Sequence, residues 1–419
     1  MKKEETIVRE GRANGANGAD RAVRANGANR AYGLIIGLIG LMGFMGCSKD
    51  EASSKEPMGS TELEVASYVR WFEEADGTNG ADGANRAYGA NGADRANGAN
   101  RAWAIPSGYV AYEDGVQPIG IAFTQNGVAP KIGSFFKSSD KWRTDLENIA
   151  DGTYQLYGYI PHQTAINYSI TDYNGADEAY STGAIMTLQN VPTVMPNDLC
   201  VVIGAKHGTD REHDSGLRMG DFSFTAKAGT DSKDYVFLLF DHLYAALKVN
   251  MSIYADYAKL RTIKLKSLQL STQAGDVTTK KRTDITIKLR ATDGSVSPIQ
   301  EITYGQPATP YPEIEGGLEF WSNSAGTALT TAPQPFIGHF MPLGITRLSL
   351  TSIYDVYDTK ENLIRKDCKV MNSVLLSELF SGQTQTERGK RYTINMTIQP
   401  TYLYMLSEPD LDNPTVVVN

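Results

Sequence analysis

Residues 284–289 read Asp-Ile-Thr-Ile-Lys-Leu, with Ile285, Ile287 and Leu289 alternating against Thr286 and Lys288. Successive side chains of an extended chain point to opposite faces, so a period of two puts one face in a core and the other toward water. The same rhythm recurs on both sides of this stretch. Upstream it marks strands over 154–160, 199–205, 221–226, 236–240 and 247–254, each bounded by Gly, Pro, Asn or Asp. Downstream, Leu348, Leu350, Tyr354 and Val356 are in phase, as are Tyr392, Ile394, Met396 and Ile398. Over 262–270 the phase slips from Ile263 and Leu265 to Leu268 and Leu270. A slip of one residue turns later side chains to the wrong face, so a bulge is predicted there. Helical spacing is confined to short turns near 256–260 and 373–380. Many short strands and little helix predict an all-β chain of β-sandwiches, and 419 residues exceed one ordinary core. The polar run 229–234 is the expected boundary between an N-terminal sandwich over 103–230 and a C-terminal one over 231–419.

Ahead of this body the composition changes. Residues 11–33 and 77–102 repeat Gly-Ala-Asn/Asp with arginine interspersed. Such segments carry almost no apolar surface to offset the entropy of ordering. Between them, residues 61–72 alternate again: Leu63, Val65, Val69 and Trp71 share one face, with Glu62, Glu64 and Arg70 on the other. This is one half-buried strand with no strand partner near it in sequence. Residues 34–46 are thirteen without a charge, preceded by Lys2, Lys3, Arg9, Arg12, Arg21, Arg24 and Arg30. A spanning helix needs about 20 apolar residues, whereas this length suits the core of a secretory signal. The run ends in Phe44-Met45-Gly46-Cys47, which resembles the lipobox of bacterial lipoproteins and makes Cys47 the residue expected to carry lipid. Segment 1–47 is thus read as a lipoprotein signal, and 48–102 as a propeptide with one strand and a low-complexity linker. The acidic stretch Ser48-Lys49-Asp50-Glu51 resembles a surface-export tag.

Beyond residue 47 the chain holds 33 Lys/Arg against 44 Asp/Glu, a net charge of −11. That balance disfavours nucleic acid, whose phosphates require clustered cations. Only Cys200 and Cys368 remain after Cys47, too few for a disulfide framework, and both are expected as small buried groups. There is no Gly-x-Ser-x-Gly elbow, phosphate loop or His-Glu-x-x-His. His207, Asp210, Glu212, His213 and Asp214 carry ligand chemistry without a metal-site spacing and read as a charged loop. Asp241-His242 offers either a general base without a nucleophile or a histidine that ties a strand end by hydrogen bonds, and the second reading is favoured. The 22 tyrosines are read as sheet packing ahead of a sugar-binding surface. No catalytic residue, metal or cofactor is expected.

Several segments in fixed order resemble the fimbrillins, lipoprotein-precursor pilus subunits of Gram-negative anaerobes. They are 153–161 (TYQLYGYIP), 237–244 (FLLFDHLY, the strand that opens the family's second domain), Phe340-Met341-Pro342 with the strand after it, 389–393 (GKRYT) and 400–404 (PTYLY). The resemblance implies two tandem Greek-key, transthyretin-like sandwiches and a structural, non-enzymatic role in adhesion or colonisation. It also implies a life cycle. The strand at 61–72 completes the first sandwich until an arginine-specific protease cuts behind it. A strand from a neighbouring subunit then takes its place, by β-augmentation. Carried onto this chain, the cut falls at Arg101, with Arg86 and Arg95 as alternatives. The donor is Tyr402, Leu403, Tyr404, Met405 and Leu406. Partners would be other subunits of the fimbrium, the protease, the outer membrane through the precursor's lipid, and a host or glycan receptor. The competing class is a pilus-tip adhesin or a surface glycan-binding lipoprotein.

Overall fold

The computed structural model describes residues 63–75, 107–112, 117–139, 141–146, 149–172, 183–208, 216–226, 234–305, 316–380 and 382–399. Nearly all regular structure is β, in several sheets, with two single-turn helices at Ala255–Ala258 and Leu376–Leu379. The alternating stretches form strands where the pattern places them, usually one to four residues longer.

The first sheet begins with β1 (Leu63–Arg70), β3 (Tyr109–Ala111), β4 (Ile119–Gln125), β5 (Val128–Ser138), β6 (Lys141–Thr144) and β7 (Gly152–Ile160). It is completed by β11 (Cys200–Gly208), β12 (Ser223–Ala226) and β13 (Asp234–His242). Neighbours run β11-β13-β1-β6-β5-β4-β7, and β7 pairs back onto β11, so seven strands close into a barrel. Closure removes sheet edges, and with them the unpaired backbone groups that invite foreign strands. The staves approach closely where β4 and β7 cross. A Cβ on Gly158 would lie 2.4 Å from the carbonyl oxygen of Gly120, so a side chain there would push the pair apart.

Against the barrel lies a second sheet of β8 (Asn167–Asp172), β9 (Gly183–Pro192), β17 (Arg282–Arg290) and β18 (Ile299–Gly305), in the order β18-β17-β9-β8. Ile285, Ile287 and Leu289, the alternating residues of β17, are fully buried in one apolar cluster with the barrel's side chains.

A second cluster is enclosed by two further sheets. One holds β10 (Val194–Met195), β20 (Gln334–Phe340), β14 (Ala245–Ile253), β23 (Lys390–Ile398) and β2 (Glu73–Glu74). The other holds β16 (Val277–Thr278), β15 (Thr262–Ala274), β21 (Arg347–Tyr357), β22 (Leu363–Leu375) and β19 (Leu318–Ala328). The slip predicted within 262–270 is an irregularity between Leu265 and Ser267, against both β21 and β19.

The two cores do not divide at one point of the chain. Val236 through Phe240, Leu243 and Tyr244 belong to the first cluster and Ala245 to the second, while β17 returns to the first. The strand likened to the opening of a second domain is therefore a stave of the barrel. A long-range parallel partner, rather than a polar linker, decides where β13 sits.

Candidate functional site: the N-terminal strand and its seat

β1 is the stave whose origin is unusual. It precedes the body by a long stretch of chain, yet it lies parallel to β13 over seven residue pairs, from Leu63 opposite Asp234 to Val69 opposite Phe240. Its other edge meets β6 at Leu63 and β3 over Tyr68, Val69 and Arg70. Leu63 and Tyr68, on opposite faces by parity, are both buried, and Val65, Ala66 and Val69 pack against the same cluster. Both faces of β1 are thus covered, as in a core strand. Trp71, expected on the buried face, is 45% exposed because β1 ends at Arg70 and the chain turns away. Burying Leu63 and Tyr68 contributes on the order of 2 kcal/mol each.

After β1 the segment crosses to the second core. Trp71 N–H donates to the Gly108 carbonyl at 3.1 Å, Glu73 N–H to Gly389 at 2.9 Å and Ala75 N–H to Arg391 at 2.9 Å. β2 pairs in parallel with Lys390 and Arg391, Glu74 forms an ion pair with Arg391, and Ala75 is buried in the second cluster. Residues 63–75 therefore grip both cores.

At the crossing lies a buried polar node. His242, the last residue of β13, is 1% exposed. Its Nδ1 donates to Asp198 Oδ2 at 2.5 Å and its Nε2 to the backbone carbonyl of Arg70 at 2.6 Å. The Cys200 thiol donates to the same Asp198 oxygen at 3.0 Å. Phe72 stacks on the imidazole with ring centroids 3.6 Å apart, and on His339 at 5.9 Å. Asp241 is held by Arg388 at 3.0 Å and Arg70 at 3.6 Å, and Arg388 also donates to the His242 carbonyl at 2.9 Å.

Charges in the node follow from this packing. Burial pushes the His242 pKa down, but Asp198 and then Asp241 outweigh it, so the imidazole is raised above its ordinary range. Burial likewise pushes the Asp198 carboxyl up, and the facing His242 overrides it, leaving it below the usual carboxylate range. The Cys200 thiol is raised well above its ordinary value, first by burial and then by Asp198. The node is an ion pair beside a neutral thiol. A protonated thiol that donates to the carboxylate, at full burial, is the reverse of an activated nucleophile. Asp198, Cys200 and His242 are also close enough together to invite a metal reading. Oxygen and nitrogen ligands of a tetrahedral ion with bonds near 2 Å stand roughly 3.3 Å apart. At 2.5 Å, Asp198 and His242 instead share a proton directly. The node is structural, and His242 ties a strand end by hydrogen bonds, the favoured sequence reading.

Beside the node opens a cleft of about 610 Å³, lined among others by Arg70, Trp71, Asp241, Tyr304 and Arg388. Cys47, Arg86, Arg95, Arg101 and Tyr402, Leu403, Tyr404, Met405 and Leu406 all lie outside the described residues, as do Asp210, Glu212, His213 and Asp214. His207 sits on β11 with its ring 5.0 Å from Phe224. Cys200 is buried as expected, whereas Cys368 is half-buried on β22. Tyr157 and Tyr159 are fully buried, the Tyr159 ring 5.2 Å from that of Tyr168 on β8. Among the described residues no helix is long and apolar enough to cross a membrane.

No family model matches the chain, and no curated protein does. Solved structures similar to it include fimbrial and adhesion proteins. A fimbrial protein of Bacteroides vulgatus is 10% identical with a TM-score of 0.28, covering 69% of this chain and 92% of that one. A candidate cell adhesion protein of Bacteroides ovatus is 13% identical with a TM-score of 0.28, covering 80% and 91%. The fimbrial anchor protein Mfa2 of Porphyromonas gingivalis is 11% identical with a TM-score of 0.20, covering 73% and 81%.

Proposed function

We propose that this chain is a structural subunit of a surface pilus whose N-terminal strand is a temporary stave, exchanged on assembly for a strand from another copy. The observation that carries the reading is the covalent position of β1. It completes the barrel, yet joins the body only through 76–106, where Arg86, Arg95 and Arg101 stand in polar repeats. A cut after any of these arginines leaves 63–75 attached by non-covalent contacts alone. Exposed polar segments are where proteases act. Departure of β1 would open the barrel between β13 and β6, exposing β13's backbone edge and the apolar side chains around it. Such a slot takes an extended peptide by β-augmentation.

In this reading Cys47 carries lipid for export to the outer membrane, and the anchor leaves with the released segment. The donor is 402–406 of a neighbouring copy, a segment that follows β23 closely in sequence. The body is two tandem Greek-key sandwiches over about 103–230 and 231–419, with β13 and the β17–β18 hairpin lent to the first. The partners are further subunits and an arginine-specific protease. The function is structural, in adhesion or colonisation, and involves no cofactor. N-terminal sequencing of the assembled protein on the cell surface tests it. The expected first residue is Ala102, or Ala87 or Ala96 for the alternative sites, and assembled material that retains 48–101 contradicts it.

A further inference from the structure

The node beneath Phe72 does more than close a gap between the cores. Two acceptors face the His242 ring, the Asp198 carboxylate at 2.5 Å and the Arg70 carbonyl at 2.6 Å. A neutral imidazole has one N–H and one lone pair, so only the doubly protonated ring donates to both. We propose that residues 70–72, seated on the His242 ring that Asp198 holds from its other side, form a pH-sensitive latch that holds β1 in the barrel while His242 is charged and loosens as it loses a proton. The proposal concerns only how 63–75 are held, and stands whether or not another copy's strand replaces them.

The proton lost is specified by the neighbours. Asp198, buried and facing Nδ1, keeps the proton on that side, and its other oxygen accepts nothing from the described residues. Deprotonation therefore removes the Nε2 proton and sets a lone pair against the Arg70 carbonyl, an oxygen of the latched segment itself. The stacking of Phe72 weakens at the same time, since a cationic ring attracts an aromatic face more than a neutral one does. Every charged group around the ring bears on this. Asp241 on β13 lies beside it, held by Arg70 from β1's end and Arg388 from the turn before β23. Cys200 on β11 stays a neutral thiol. His339 on β20 bonds the Pro196 carbonyl at 2.9 Å on the far side of Phe72.

The sign follows from the two shifts. His242 is raised on folding, so its contribution is complete below the ordinary histidine range and is lost as pH rises through the raised value. Asp198 is depressed, so its contribution is present above the ordinary carboxylate range and is lost as pH falls through the depressed value. The grip is firmest between the two, and the alkaline limb acts directly on β1.

Hydrogen exchange of the full chain tests this, reading peptides from 63–75 against β21 as an internal reference after correction for intrinsic exchange. Protection of 63–75 relative to β21 is expected to fall about tenfold or more between ~pH 6 and ~pH 9, the size of a lost hydrogen bond to a charged group. His242→Gln should abolish that slope, while Phe72→Leu should lower protection at every pH and retain it. A flat wild-type profile, or an unchanged slope in His242→Gln, overturns the proposal. Nitrogen NMR of the wild-type imidazole needs no variant: two N–H groups at ~pH 6 are expected, and a ring with one overturns the latch.

Discussion

β1 and β22 are opposite solutions to the same problem. β22 has thirteen residues and is paired with β21 alone, an edge among the described residues with most of its side chains in water. Leu363, Ile364, Val370 and Met371 are all exposed on it, an arrangement that invites foreign strands. Its defences are visible. Arg365, Lys366 and Lys369 put charge along the strand, Asp367 takes a left-handed φ of 53°, and the pairing with β21 is irregular near Val356. Lys266 ties Asp367 into place, and Asp367 N–H donates to Asp355 at 2.7 Å. β1 has only eight residues, with Leu63, Val65 and Val69 on one face and Ala66 and Tyr68 between its two charges, Glu64 and Arg70, on the other. The edge that it covers on β13, Asp234 through Phe240, is charged only at its first residue, Asp234. A permanent edge is made repellent, whereas the edge that β1 fills is left apolar, as the proposed exchange of β1 requires. Control then passes to whatever holds the filler in place.

The comparison can be broken at its strongest point. Leu238, fully buried on β13 opposite Ser67 of β1, should lose about 3 kcal/mol of stability as Leu238→Ala, since it sits where neighbours cannot collapse inward. Met371→Ala on β22, 66% exposed, should change stability by less than about 0.5 kcal/mol. Urea denaturation of the two variants checks the pair, and equal losses would erase the distinction between slot and edge. A smaller effect sharpens the other side. Replacing Lys366 and Lys369 by valine should strip the defence of β22 and tighten self-association about tenfold. Light scattering against concentration reads this, and an unchanged monomer would show that the twist and bulge suffice without charge.

Much of the fold was legible because period-two patterns are local. β17, β21 and β23 announced themselves by alternation, and the bulge in β15 by a slip in phase. β22 did not, since its exposed apolar residues come in adjacent pairs, Leu363-Ile364 and Val370-Met371, which break the alternation. β1 was legible as a strand, but its partner was not. Parallel pairing with β13 joins segments about 170 residues apart, and nothing in either encodes the other. Alternation continues through Trp71 in sequence, and only the end of β1 at Arg70 exposes it. The node was invisible for the same reason of distance. Asp198, His242, Arg70 and Arg388 come from four separate places, and only the pair Asp241-His242 hinted that a strand end was being tied.

The central claim is that β1 is a removable stave. It is met most directly by cutting the purified full-length chain with an arginine-specific protease, then following both pieces. The account predicts that the fragment bearing 63–75 departs and that the body from Ala102 ladders on a denaturing gel, a property lost when 401–419 are deleted. A body that sheds the fragment yet stays monomeric, or that ladders equally well without its tail, would contradict it.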